Sequence, residues 1–488
     1  MNQLFFEQLN HSKPALPLSE SGRIVRGNAT RLDWAAICPQ VEGEEVFVLG
    51  NPPYLGFSLQ GKEQKKDMEI VFPKYIDFKR LDYIACWFFK GANYIQKQNA
   101  RFAFVSTNSI CQGEQVALLW PSIFNKNLEI AFAYQSFKWN NNAKANAAVI
   151  VIIVGLRNTF NGDKLLINDL HHKKIKNINA YLIPERNTFV EKKGTPISDF
   201  PEMLRGDMPI DGGHLILSHS EYSDLVTKFP HARIFTRKFI GAVEFMNSDF
   251  RWCLWIDDST LNEALAIEPI KQRLIKVKEM RLQSSNFSTQ LLAEKPHLFG
   301  QIRHINKTSI IIPSTTSERR DYIPLGFVDA DTIISNLAYS IPCELPHIFG
   351  ILSSQMHMIW VKAFAGRLKS DYRYSSGLCY NTFPFPVISL ENKEILEMHV
   401  YEVIGEREKH SEKTLAQLYD PDLMPSGLRQ AHHALDIAVE RCYRSKPFEN
   451  DEERLAYLFK LYEQMIAAEK VRAGEILFDA PAAKKKKK

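Results

Sequence analysis

Over its first 160 residues the chain alternates strand-like and helix-like segments, a pattern that commits it to an α/β sheet. Arg23 to Arg26 reads as a short strand ending at Gly27-Asn28, and Glu45 to Leu49 as a second, stopped by Gly50-Asn51-Pro52-Pro53. Apolar residues at helical spacing (Leu81, Ile84, Ala85, Phe88, Phe89, Ala92) predict a helix over 81–96 packed on that sheet. Arg101 to Val105 is the third strand, and Leu128 to Tyr134 with Ala145 to Val154 is most economically a hairpin. From residue 161 the pattern becomes short strands between Pro, Gly and basic turns, which predicts a separate α+β domain over 161–390. Residues 391–483 read as mostly helical, with Pro421, Pro425 and Pro447 at the breaks, followed by a lysine tail at 484–488.

A chain of 488 residues is too long for one ordinary core, so two or three domains are expected. Its seven cysteines show no Cys-x-x-Cys pair and no disulfide or zinc spacing, which fits a reducing cytoplasm. The residues following Met1 show no basic region leading into an apolar signal core, and no apolar run is long enough for a membrane span. Lys484 to Lys488 account for the whole formal net charge of +5, so the remaining sequence is balanced. A balanced body excludes an argument for nucleic-acid binding from overall charge but leaves room for a local basic face. The histidine pairs His171-His172 and His432-His433 lack companions at metal-ligand spacing, so no metal is assigned.

The segment with chemical content is Asn51-Pro52-Pro53-Tyr54. Methyl transfer to an exocyclic amine needs alignment more than acid-base power. Acceptors must hold the amino hydrogens while the nitrogen faces the methyl donor, and such positioning is worth about 7 to 11 kcal/mol in favourable cases. Asn51 offers a side-chain carbonyl, and the carbonyl of Pro52, before a second proline, has a fixed direction. Tyr54 offers an aromatic face to a base that has left the duplex, where stacking contributes about 1 to 3 kcal/mol. The competing reading is a strand that simply ends in an Asn-Pro turn, because both residues favour chain reversal.

Context favours the first reading. Ile24 to Ala29 with Leu32-Asp33-Trp34, Gly50 to Gly56, Phe104 to Ile110 with Gln112 to Gln115, Ser136 to Trp139, Asn146 to Val149, Arg251 to Trp255, Ser317 to Arg320, Tyr372 to Ser375 and Tyr380 to Pro386 occur in one order along the chain. In that order they resemble the gamma class of amino-methyltransferases, and more closely the Type IIL restriction-modification enzymes, the MmeI-like family. The resemblance implies that residues 1–160 are the C-terminal part of a Rossmann-like class I methyltransferase domain, acting on adenine N6 with S-adenosylmethionine. Asn51, Pro52, Pro53 and Tyr54 then fall on the catalytic tetrapeptide, and Phe137 or Trp139 on the aromatic that helps hold the flipped base. Asn28 falls where such enzymes often place an acidic residue near the cofactor's adenine. The alternative reading of Phe137 and Trp139 is an apolar plug over the sheet.

The resemblance further implies a target recognition domain over 161–390 that binds double-stranded DNA, where Arg319, Arg320, Arg367, Lys369 and Arg373 are the candidate contacts to bases or phosphates. Arg251, beside Trp252, reads as structural. In this fold the methyl donor sits at a Gly-rich turn after the first strand, with an acidic residue gripping its ribose. The sequence contains no Gly-x-Gly, so the expectation is a chain lacking that N-terminal part, with a separate polypeptide as the partner that supplies it. The rival account is an inactive fragment that only recognises DNA. No nuclease constellation is found, and DNA cleavage is not expected.

Overall fold

The computed structural model describes residues 24–74, 76–139, 149–168, 171–368 and 370–472, except the side chains at 138, 139, 149 and 368. Lys369 and the lysine tail at 484–488 lie outside the described residues, as does the side chain of Trp139. Within the chain, Met1–Ile110 with Leu118–Arg186 form one compact unit, and Cys111–Ala117 with Asn187–Lys488 form a second.

The first unit is built on a six-stranded sheet in the order β1-β2-β4-β3-β5-β6. Its strands are β1 (Val46–Gly50), β2 (Ala100–Thr107), β3 (Leu128–Trp139), β4 (Val149–Asn158), β5 (Lys164–Ile167) and β6 (His172–Ile175). β1 and β2 are parallel, β2 and β3 both run antiparallel to β4, and β5 is parallel to β3. The helix expected over 81–96 forms at Ala85–Ile95. It packs on β2 through Phe88, whose ring meets Phe102 and Phe104 edge-on at 5.8 and 5.5 Å. Burial of Leu81, Ile84, Ala85 and Phe88, all 0 % exposed, supplies the drive.

Two features depart from the expectations. Ile24 to Arg26 forms no strand and is exposed, because an isolated β-prone triplet has no ladder to join. The first unit also continues past the boundary expected near residue 160, since β5 and β6 extend the same sheet.

The second unit holds three smaller sheets among its described residues, in the orders β14-β9-β10-β8, β13-β11-β15-β7 and β12-β17-β16. These comprise β7 (Leu204–Arg205), β8 (Ile216–Leu217), β9 (Thr236–Ile240), β10 (Arg251–Leu254), β11 (Ser309–Pro313) and β12 (Thr315–Thr316). They continue with β13 (Gly326–Val328), β14 (Ile333–Ile334), β15 (Ala338–Ile341), β16 (Gly366–Leu368) and β17 (Asp371–Arg373). The helix Glu268–Leu282 joins the core through Ile270, Leu274 and Val277, which share a cluster with Phe239, Cys253 and Leu254. On the same helix the buried Arg281 guanidinium donates to the carbonyls of Pro209, Ile210, Leu292, Lys295 and Leu298, fastening two loops at once. Helices Leu390–Glu408, Ser426–Tyr443 and Asp451–Arg472 follow, and Pro421, Pro425 and Pro447 fall between helices. Among the described residues, no helix is long and apolar enough to cross a membrane.

Candidate active site and recognition surface

The strand directions bring three chain segments to one end of the first sheet. β1 pairs with β2 up to Gly50 opposite Phe104, and β2 continues to Thr107 opposite Val151 of β4. On the other side of β4, the same Val151 faces Phe137 of β3. Because β1, β2 and β3 run in one direction, Asn51, Asn108 and Phe137 all lie at the carboxyl end of their strands. In open α/β sheets that end forms the ligand crevice.

Asn51 begins where the ladder stops, since Pro52 and Pro53 have no N–H to extend it. Asn51 and Pro53 are exposed, Pro52 is buried and Tyr54 is half-buried, so the loop is anchored by one proline and presents the asparagine outward. A bulge between Tyr134 and Phe137 gives β3 an extra residue there and turns its end. The Tyr134 and Phe137 rings stand edge to face at 4.7 Å. Asn108 donates to the Ser136 hydroxyl at 3.4 Å, linking the loop after β2 to the end of β3.

Asn28 is exposed, but its side chain is engaged by neighbouring residues. Its side-chain oxygen accepts from the Thr30 N–H at 2.9 Å and the Thr30 hydroxyl at 2.7 Å, and its amide donates to Asp67 at 2.9 Å. The acceptor that the family's acidic residue would offer a cofactor is therefore already taken. Asp67 also accepts from Arg31 at 2.6 Å and from Tyr83 at 2.6 Å. Burial pushes the Asp67 carboxyl up, but the bonds from Tyr83, Asn28 and Arg31 outweigh it and hold the group below the usual carboxylate range. Asn28 thus ties residues 28–31 to the helix Lys62–Val71.

Two further polar residues at this end escaped sequence reading, Gln60 and Asp82, each only 7 % exposed. The available signal was a carboxylate between Leu81 and the apolar helix face that begins at Ile84.

In the second unit, the three-stranded sheet carries two of the predicted arginines, Arg367 and Arg373. Arg373 on β17 pairs with Thr315 on one side and Gly366 on the other, while Arg367 faces Tyr372. Their environments differ sharply. The Arg319 guanidinium is tied to Asp422, and Arg320 is largely buried, donates to Thr316 at 3.4 Å and has its pKa lowered by burial. Arg367 lies over the Tyr372 ring at 3.8 Å and donates to the Ser370 carbonyl at 2.6 Å. Arg373 is exposed, and its side chain has no ion pair or hydrogen bond among the described residues. Arg251 pairs with Glu244 at 2.8 Å and lies 5.3 Å from the Phe239 ring centre, so it is built into the fold. His432 is fully buried, bonded to the Tyr419 hydroxyl at 2.8 Å and stacked on Tyr322.

Comparison with known proteins gives the family. Residues 1–168 match the model described as MmeI, DNA-methyltransferase domain, residues 184–387 that of MmeI, target recognition domain, and residues 388–468 that of MmeI, C-terminal domain. The chain belongs to the MmeI-like family. It is 48 % identical over 459 residues to DNA methyltransferase A of Bacillus subtilis (strain 168), covering 93 % of this chain and 52 % of that protein. It is also similar to the solved structure of the Type IIL restriction-modification enzyme MmeI in complex with DNA, with a TM-score of 0.86 and 38 % identity, over 96 % of this chain and 63 % of that one. The chain therefore spans about half the length of the curated relative, and under two thirds of the MmeI chain. The architecture matches MmeI in having a methyltransferase domain, a target recognition domain and a helical C-terminal region.

Proposed function

We propose that this chain carries the base-handling and DNA-recognition parts of a site-specific methyltransferase that acts on adenine N6. The observation that carries the reading is the position of Asn51 to Tyr54: they leave β1 at the carboxyl end of the sheet, beside the ends of β2 and β3. The Asn51 side-chain oxygen and the Pro52 carbonyl accept the two amino hydrogens of a flipped adenine, and Tyr54 stacks on its ring. Phe137 closes the far side of the base. Double-stranded DNA is held by the recognition domain, with Arg373 as the leading contact and Arg319, Arg320 and Arg367 around it.

S-adenosylmethionine, when bound, supplies the methyl group as an electrophile. The residues in hand fit only the acceptor side of that transfer. The sequence has no Gly-x-Gly turn, and the Asn28 acceptor is occupied by Thr30. Outer strand β1 has no further partner among the described residues and leaves Phe47 and Leu49 60 % and 73 % exposed. An open apolar edge invites another strand. We infer that a segment from outside these 488 residues, on the same polypeptide or on a separate one, packs there with the cofactor turn.

The test is to co-express the chain with the polypeptide encoded beside it and sequence the host DNA for N6-methyladenine. Modification at one sequence, lost in Asn51→Ala, is the expected result. No modification, or modification that survives Asn51→Ala, rejects the reading.

A further inference from the structure

Two consecutive prolines fix the local backbone of the tetrapeptide but leave it without backbone donors at residues 52 and 53, so hydrogen bonds from those residues cannot anchor it and those at its exit matter. That grip is on Leu55. Its N–H donates to Asp82 Oδ1 at 2.9 Å, and its carbonyl accepts from the Tyr83 N–H at 3.1 Å and from Gln60 Nε2 at 3.0 Å. Gln60 Nε2 also reaches the Leu81 carbonyl at 2.9 Å, which locks the amide in place. The Asp82 carboxylate accepts in addition from the Ile84 N–H at 3.2 Å, and bonds with the Tyr83 backbone and the Ser109 side chain.

Ser109 belongs to the loop after β2, whereas Leu55 belongs to the loop after β1. One carboxylate therefore joins both walls of the crevice. Burial pushes its pKa up, and the surrounding donors pull it back. A carboxylate is retained among apolar neighbours such as Leu81 and Ile84 only where its donors are in place.

We propose that Asp82, backed by Gln60, is the positioning residue of the catalytic loop, fixing where the Asn51 and Pro52 acceptors point without touching the base. This rests on the reading of residues 51–54 as catalytic. Asp82→Asn keeps an acceptor for the Leu55 N–H, and Asp82→Ala removes it.

Hydrogen–deuterium exchange on the full chain reads the bracing directly. Asp82→Ala is expected to speed exchange across residues 51–57 and 107–111 while β4 and the helix Ala85–Ile95 keep wild-type protection, and Asp82→Asn to restore most of the difference. Gln60→Leu, the second variant, should loosen 51–57 alone. Unchanged exchange, or an equal rise throughout the first unit, overturns the proposal.

With the partner polypeptide present, methylation kinetics add a second readout. Asp82→Ala is expected to lower kcat on the order of 100-fold, as a small misplacement of reacting groups does, with KM for DNA held within about twofold. A raised KM at unchanged kcat overturns the assignment. If the wild-type assembly transfers no methyl group while exchange responds as expected, the proposed reaction fails and the bracing stands.

Discussion

Asp436 shows how much a single buried residue does in this protein. Tyr322 donates to one carboxyl oxygen at 2.7 Å and the Gln355 N–H to the other at 2.7 Å. Burial, with Glu440 nearby, pushes its pKa up to about 7 despite these bonds and the charge of Arg454. The folded protein thus keeps a proton that the unfolded chain releases near pH 4. Its contribution to stability is complete below that pH and is lost as pH rises through about 7. In a pH series of melting temperatures, Asp436→Asn should flatten that decline and leave the variant more stable than wild type at pH 8. A parallel pair of curves would contradict the assignment. Among the arginines, Arg373→Ala should weaken DNA binding by about 1 to 3 kcal/mol, as for a direct contact. Arg319→Ala should cost less, since its guanidinium is already held by Asp422. Titration of both variants at one salt concentration decides between them. The tetrapeptide was legible because its four residues are contiguous. The partners that hold or flank it, such as Asp82 at 27 positions from Leu55, are brought close only by the fold.

At the scale of elements, apolar periodicity located the helix Ala85–Ile95, strand β2 and the β3–β4 hairpin within a few residues. It passed over β6, because His172 to Lys174 put charge on an outer strand and erase the alternation. The hairpin carries a sharper constraint. Gly155 on β4 faces Phe132 on β3, and a Cβ at Gly155 would lie 2.1 Å from the Phe132 ring. Gly155→Ala should cost about 1 to 3 kcal/mol by overpacking, measured by urea denaturation, and Phe132→Ala in the same chain should return part of it. Additive losses in the double variant would show that the two sites are independent. The helix Glu268–Leu282 has its own test in Arg281→Met. It removes the one donor to the Ile210 and Leu298 carbonyls and leaves those of Pro209, Leu292 and Lys295 with their backbone donors alone, so thermal unfolding should come several degrees earlier.

Across the whole molecule, the edge of the first sheet at β1, which has no further partner among the described residues, and the threading of the chain matter most. Phe47→Arg with Leu49→Lys places charge on β1 at side chains that are already exposed. The pair should leave the melting temperature of the chain unchanged and abolish co-purification with the polypeptide bearing the cofactor turn. Retained co-purification would place that contact elsewhere. The threading was illegible in the sequence, because a reading in consecutive blocks keeps residues 111–117 within the block 1–160, whereas they cluster with the second unit. Glu114 in that stretch is ion-paired at 2.8 Å with Lys192, far along the chain. Recombination between relatives is therefore not a one-cut affair. A second unit exchanged at the junction near residue 186 arrives without its own version of Cys111–Ala117 and must accept the recipient's, so any such exchange has to match at a second site some seventy codons upstream.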